Sequence, residues 1–176
     1  MEIKAYTVRN LDAIKHFFYA GVYRGKNPKK HLIKRIILSV ILITLAVINY
    51  IQSDGVEWFY LGLFFAGLML VQILRYVSGP KKHYEALSKM KDEVSEFVFY
   101  EDKYQATTKS SLRSVVEEVD YNMLVKVIET SKYIILFLGE ATMEVVDKST
   151  VNNGTVDDIR NKLKEYVRTN YLMADF

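Results

Sequence analysis

Two stretches of the chain carry no charged residue: Ile36 to Ile51, IILSVILITLAVINYI, and Trp58 to Leu74, WFYLGLFFAGLMLVQIL. With the apolar stems of flanking Lys34, Arg35 and Arg75, each run reaches about 20 residues. At a rise of ~1.5 Å per residue that matches a hydrocarbon core about 30 Å thick. The pattern predicts two membrane spans, about residues 33–52 and 56–76, joined by the short QSDGVE connection. Buried core helices are the competing reading, and charge-free runs of this length are uncommon in a small soluble chain. The first run starts more than thirty residues in and lacks a small-residue cleavage pattern, so the expectation is a retained hairpin and no signal peptide.

Beyond Pro80 the helix-forming segment KKHYEALSKMKDE extends the second span, and then the periodicity changes. VSEFVFY, YQATTKS, RSVVEEV, VKVIET, YIILFL and ATMEVV are short runs rich in Val, Ile, Thr, Phe and Tyr, separated by turn-sized pieces. They predict six strands in an antiparallel meander. YIILFL, apolar on both faces, suits a central strand, and RSVVEEV, which alternates poorly, suits an edge. Thr155 with Asp158 three residues later predicts a capping box, followed by a helix with Ile159, Leu163, Tyr166 and Val167 on one stripe. At the other end, EIKAYTV predicts a strand that joins the C-terminal sheet as a seventh. NLDAIKHFFYAGVY predicts a helix capped by Asn10 with Ile14, Phe17, Phe18, Gly21 and Val22 on one face, or alternatively lying along the membrane surface.

The fold class expected is therefore an α+β membrane protein, a two-helix hairpin with a small antiparallel β-sheet or barrel capped by a C-terminal helix. Its parts are an N-terminal strand and helix over 1–28, the hairpin over 29–80, a connecting helix over 81–93 and a β domain over 94–176. Pro28 and Pro80, the only two prolines, stand at the two entrances of the hairpin as expected helix breaks.

Charge adds direction. The net charge of +3 is unevenly spread: Arg24, Lys26, Lys29, Lys30, Lys34 and Arg35 precede the first span, and Arg75, Lys81, Lys82, Lys89 and Lys91 follow the second. The connection between the spans carries only Asp54 and Glu57. Since Lys and Arg are retained on the cytoplasmic side, both termini are expected inside a plasma membrane and the acidic loop outside. Tyr50, Trp58, Phe59 and Tyr60 then mark the outer interface, with Tyr76 and Lys81 at the inner one. Lys29, Lys30, Lys34, Arg35, Arg75, Lys81 and Lys82 are candidate headgroup contacts.

Within the spans, Gly62 and Ala66 share a face, near Ala46 of the first span. A homodimer contact and packing within the hairpin both fit, the second being preferred. Asn49 and Gln72 lie at opposite depths, and no ionisable side chain is deep in either span, which argues against a pore or proton path.

The run EFVFYEDKYQATTKSS, the pattern from Tyr121 to Phe137, and the strand leading into DKSTV, in this order around a two-span hairpin, resemble the YcxB-like family of bacterial membrane proteins. The resemblance covers nearly the whole chain and rests on hydrophobicity and turn patterns. It implies a pleckstrin-homology-like C-terminal domain and no known biochemical activity. Members often carry an Ile-Pro-Lys-like turn where this chain has Val146, Asp147 and Lys148.

Candidate chemistry is sparse. There is no cysteine, and His16, His31 and His83 lack partners at metal-ligand spacing. No phosphate loop, dinucleotide fingerprint or nucleophile elbow occurs. Glu117, Glu118 and Asp120 read as a solvated face. No enzyme, cofactor or metal is expected. Lys103, Lys109 and Arg113 are a candidate basic site, in a domain whose summed charge from residue 94 is slightly negative. Nucleic acid is not expected, because the positive charge flanks the spans. The sequence therefore points to membrane lipids and an unidentified protein or peptide as partners of a membrane-tethered interaction module. The alternative is a small membrane effector, such as an immunity factor against a membrane-active peptide.

Overall fold

A computed structural model describes residues 2–24, 26–53, 55–86, 93–109, 114–139 and 142–174. The chain divides into two compact units, one of Met1–Lys26 with Pro80–Phe176 and one of Asn27–Gly79.

The smaller unit is built from α2 (Pro28–Ser53) and the larger part of α3 (Val56–Ala86), the first helix of the chain being α1 (Leu11–Tyr23). Pro28 begins α2 rather than interrupting it, and Asn27 Oδ1 accepts from the Lys30 amide at 3.0 Å, a helix start in which the missing proline N–H costs nothing. Pro80 does not end α3 as expected; the helix runs six residues past it. Apolar packing is almost absent within this unit: of the most apolar 18 residues of each helix, 11% and none are buried. Both helices are long and apolar enough to cross a membrane.

Among the described residues the larger unit holds eight strands in two sheets, not one. The first is antiparallel and ordered β1 (Ile3–Val8), β2 (Val94–Phe99), β3 (Lys103–Lys109), β4 (Ser114–Asp120). The N-terminal strand thus pairs with β2 across the whole intervening hairpin sequence, with Ala5 opposite Phe97. The second sheet is ordered β7 (Met143–Asp147), β6 (Tyr133–Phe137), β5 (Lys126–Glu129), β8 (Tyr171–Met173). In it β5, β6 and β7 form the expected meander, while β8 joins β5 in parallel after α4 (Val156–Val167).

The sheets meet along β1 and β7. Asp147 donates its amide to Thr7 Oγ1 at 2.8 Å, Tyr6 donates its amide to Thr150 Oγ1 at 2.9 Å, and Lys4 and Asn152 exchange two backbone bonds. A Cβ on Gly154 would lie 2.7 Å from Ile3 Cγ1, so glycine is what lets the chain pass so close to β1. Asp147 Oδ1 accepts from the Ser149 amide at 2.9 Å and from the Ser149 hydroxyl at 2.7 Å, closing an Asx-turn.

β6 explains the arrangement. All five of its residues are buried because both of its faces are covered. Ile134 and Leu136 face the main core with Phe97, Phe99, Val127, Ile159 and Leu163, while Tyr133, Ile135 and Phe137 pack beneath Ala13 and Ala20 of α1. Each fully buried Ile or Leu contributes roughly 1.5–3 kcal/mol. α1 therefore lies on the second sheet, and its buried side is Ala13, Ile14, His16, Tyr19 and Ala20. Phe17 and Phe18 are only half-buried and pack their rings near His83, at 5.6 and 6.2 Å. Asn10 caps α1, and Lys126 Nζ donates to the Arg24 carbonyl at its far end at 3.0 Å. On the opposite side α4 buries Ile159, Leu163 and Val167, started by the Thr155–Asp158 capping box.

Candidate functional site

The inward face of the first sheet thins out along its strands. Register sets three rows across β1 to β4: Ile3, Phe99, Tyr104 and Val119; then Ala5, Phe97, Ala106 and Glu117; then Thr7, Ser95, Thr108 and Val115. The first row fills the core with large side chains. The second brings alanines and a carboxylate, and the third is three hydroxyl residues and a valine, with Ser95 and Thr108 oxygens 3.1 Å apart. The volume lost becomes two adjoining cavities of about 410 and 310 Å³, which share Arg9, Thr108 and Glu144 in their walls.

The smaller cavity is acidic. Glu93, Glu117 and Glu144 line it. Glu93 is buried and held by Arg9 at 2.6 Å, so that charge is compensated. Glu144 is not: its Oε2 atom and the hydroxyl of the fully buried Tyr104 are enclosed next to each other, and among the described residues neither meets any other hydrogen-bond partner. The two lie close enough to influence each other's titration. Burial raises the Glu144 pKa, Tyr104 partly offsets this, and the Glu117 charge raises it further. The Tyr104 phenol is pushed far above its ordinary range by burial and then by Glu144 and Glu117.

Directly over this cavity runs β4. It pairs with β3, and among the described residues no other strand pairs with it. Every β4 residue except Val119 is exposed. Its outward edge therefore presents unpaired backbone donors and acceptors, with Val115 and Glu117 on the cavity side and Val116, Glu118 and Asp120 on the other face.

A second buried carboxylate in the same unit behaves in the opposite way. Glu129, 1% exposed, accepts from Lys148 Nζ at 2.8 Å and Arg160 Nη2 at 2.6 Å through Oε1, and from Arg160 Nε at 2.7 Å and Tyr171 OH at 2.5 Å through Oε2. Burial alone would raise its pKa, but the bonds from Arg160, Lys148 and Tyr171 prevail and hold it down at about 2. Arg160 also pairs with Asp157. This knot ties β5, β8, α4 and the turn after β7 together and leaves no acceptor open.

The sequence-derived candidates fall elsewhere. Lys103 and Lys109 do not form a basic site. They stand on the outward face of β3, six residues and thus about 20 Å apart, and are paired with Glu118 at 2.8 Å and Glu96 at 3.4 Å. Arg113 lies outside the described residues. Lys29, Lys30, Lys34 and Arg35 on α2 and Arg75, Lys81 and Lys82 on α3 are all exposed. Within the hairpin a Cβ on Gly62 would lie 3.6 Å from that of Ala46, so these small residues face each other inside one chain. Ala66 lines an apolar groove of about 200 Å³ with Ile43, Val47, Tyr50 and Trp58. Asn49 donates to the Leu45 carbonyl of its own helix at 2.9 Å and Thr44 to Val40 at 2.9 Å, which satisfies both locally.

Glu117 and Glu144 are what sequence reasoning missed as a pair. Valines occur at both parities in SVVEEVD, so alternation cannot say which glutamate faces inward. Only the register with β3 decides it. Among the described residues no group of three or more His, Cys, Asp or Glu is placed to hold a metal ion. No family model, curated protein or solved structure matches the chain.

Proposed function

We propose that this chain is a non-enzymatic integral membrane protein whose sheet-bearing unit is a membrane-tethered protein or peptide interaction module. The membrane part of the reading rests on α2 and α3: their large apolar side chains, such as Ile37, Leu38, Ile41, Phe64, Leu70 and Val71, are exposed along their length, a pattern stable in lipid and not in water. The excess of Lys and Arg on the outer flanks of the hairpin sequence supports a plasma-membrane protein with both termini cytoplasmic.

The order of the larger unit supports a pleckstrin-homology-like fold, with four antiparallel strands, a three-strand meander and a closing helix. The hairpin inserted after α1 supports membership of the YcxB-like family. The added parallel strand β8 is a departure from that plan.

The observation that carries the interaction reading is the seven-residue β4 strand left open beside a cleft, since an unpaired edge is a template for an extended segment. The test is crosslinking in native membranes, followed by mass spectrometry of what co-purifies with the full chain and with a version carrying an unrelated two-span anchor. The same partners with both support the module. Partners that need the native hairpin overturn it in favour of a membrane effector.

A further inference from the structure

Charges along a sheet edge are an ordinary defence against aggregation, and Glu118 and Asp120 on the outer face of β4 need no other explanation. Glu117 is different. It projects to the inner face, over a cavity whose floor holds a second, poorly compensated carboxylate, Glu144. A defence against edge pairing does not require a cavity beneath the edge. Nor does it require a fully buried hydroxyl, that of Tyr104, to be set against Glu144 with no other partner among the described residues. The cation in its wall, Arg9, is paired with Glu93, and among the described residues no further Lys or Arg lines the cavity beside Glu117 and Glu144.

We infer that the β4 edge binds an extended basic peptide by strand addition, with one Lys or Arg side chain of that peptide entering the cleft between Glu117 and Glu144. This deepens the interaction-module reading and rests on it. The pleat dictates the recognition pattern. A peptide strand hydrogen-bonded to β4 places alternate side chains on the inner face, in line with the rows that end in Val115, Glu117 and Val119. The residue opposite Glu117 lies over the cavity. Its neighbours two positions away on either side meet Val115 and Val119, which favours apolar side chains there.

On the other face, Glu118 is already paired with Lys103, so Asp120 favours a second base and Val116 an apolar residue. The backbone supplies affinity, and the two cleft carboxylates supply selectivity for a cation. The same acidic edge repels anionic headgroups, so the ligand chemistry is a peptide and not a lipid surface.

The test uses the full chain in zwitterionic nanodiscs and three synthetic heptapeptides of one pattern. Each has a central Lys with Val two positions away on either side; one is unmodified, one has Gln for that Lys, and one is N-methylated at alternate amides. Binding is read by fluorescence anisotropy and by hydrogen exchange of the β4 amides. Expected results are binding of the Lys peptide at least tenfold tighter than the Gln peptide, loss of binding on N-methylation, and slowed exchange in β4. The Glu117→Gln and Glu144→Gln variants should each weaken the Lys peptide several-fold and leave the Gln peptide unchanged.

Equal binding of the N-methylated peptide would reduce the effect to diffuse charge and overturn the strand addition. Equal binding of the Gln peptide, or no binding at all, would overturn the cleft assignment. If partners crosslinked in native membranes are retained by the Glu117→Gln, Glu144→Gln double variant, the module reading stands and this inference alone fails.

Discussion

Glu129 and Glu144 stand on the same sheet, on β5 and β7, and both carry carboxylate oxygens removed from water. One is saturated and the other is not. Glu129 takes four hydrogen bonds from Lys148, Arg160 and Tyr171, and its pKa falls to about 2. Glu144 has only the neighbouring Tyr104 hydroxyl to offset burial and the Glu117 charge, and its pKa rises. The lesson is that burial of an acid does not by itself mark a functional position. A buried acid whose partners all come from the same chain is architecture. One that faces a cavity short of donors is waiting for a partner.

The largest effect that bears on this comparison comes from removing the saturated member. Glu129→Ala strands the positive charges of Lys148 and Arg160, whose side chains keep 20% and 23% of their surface in solvent. Breaking a buried pair costs about 3–5 kcal/mol, and this partial exposure places the loss near the lower end, at about 3 kcal/mol. Thermal or urea unfolding of the full chain in detergent reads it.

Protonation removes the same interaction without mutation. Because the folded pKa of Glu129 lies below its ordinary 4.5, its contribution is fully present above pH 4.5 and is lost as pH falls toward about 2. The wild type should therefore lose stability steeply in that window, and the Glu129→Gln variant should show a flatter profile there.

Smaller effects sharpen the contrast. α4 presents Arg160 to Glu129, and Thr155→Ala deletes its cap; the expected loss is about 1 kcal/mol, measurable as a lowered unfolding midpoint. Glu144→Gln has the opposite sign. Since its folded pKa is raised, the cost of ionising Glu144 is present at neutral pH and relieved as pH falls, so removing the charge should stabilise the free protein by up to about 1 kcal/mol at pH 7. A destabilising Glu144→Gln would make the two carboxylates alike.

What could be read in the sequence was whatever local pattern decides. Thr155 and Asp158 are three residues apart, and no distant contact is needed to form their capping box. YIILFL is apolar at both parities and therefore needs two covers, although nothing in it says that α1 supplies one. Where several solutions satisfy the local pattern, the reading failed. Phe17 and Phe18 seemed the natural core face of α1, yet Ala13 and Ala20 let the helix approach β6 closely, and the His16 ring lies tilted against Tyr133 at 4.9 Å. No strand is expected at Tyr171 to Met173, because a three-residue parallel strand gains its identity only from Val127, Ile128 and Glu129 opposite. Pro80 looked like a break, and α3 passes through it. The cleft was the least legible part, since it exists only where residues on β1, β2, β3, β4 and β7 fall into register.

Site-resolved titration of the glutamate side chains in the full chain, by carboxyl carbon-13 NMR in detergent with Glu129→Gln and Glu144→Gln as assignments, tests the contrast most directly. The account predicts one resonance titrating at about pH 2 that vanishes in Glu129→Gln, and one titrating above the ordinary glutamate range that vanishes in Glu144→Gln. A Glu144 that titrates at or below 4.5 would mean that the carboxylate already has its partners, and the cleft would then be closed architecture like the Glu129 knot.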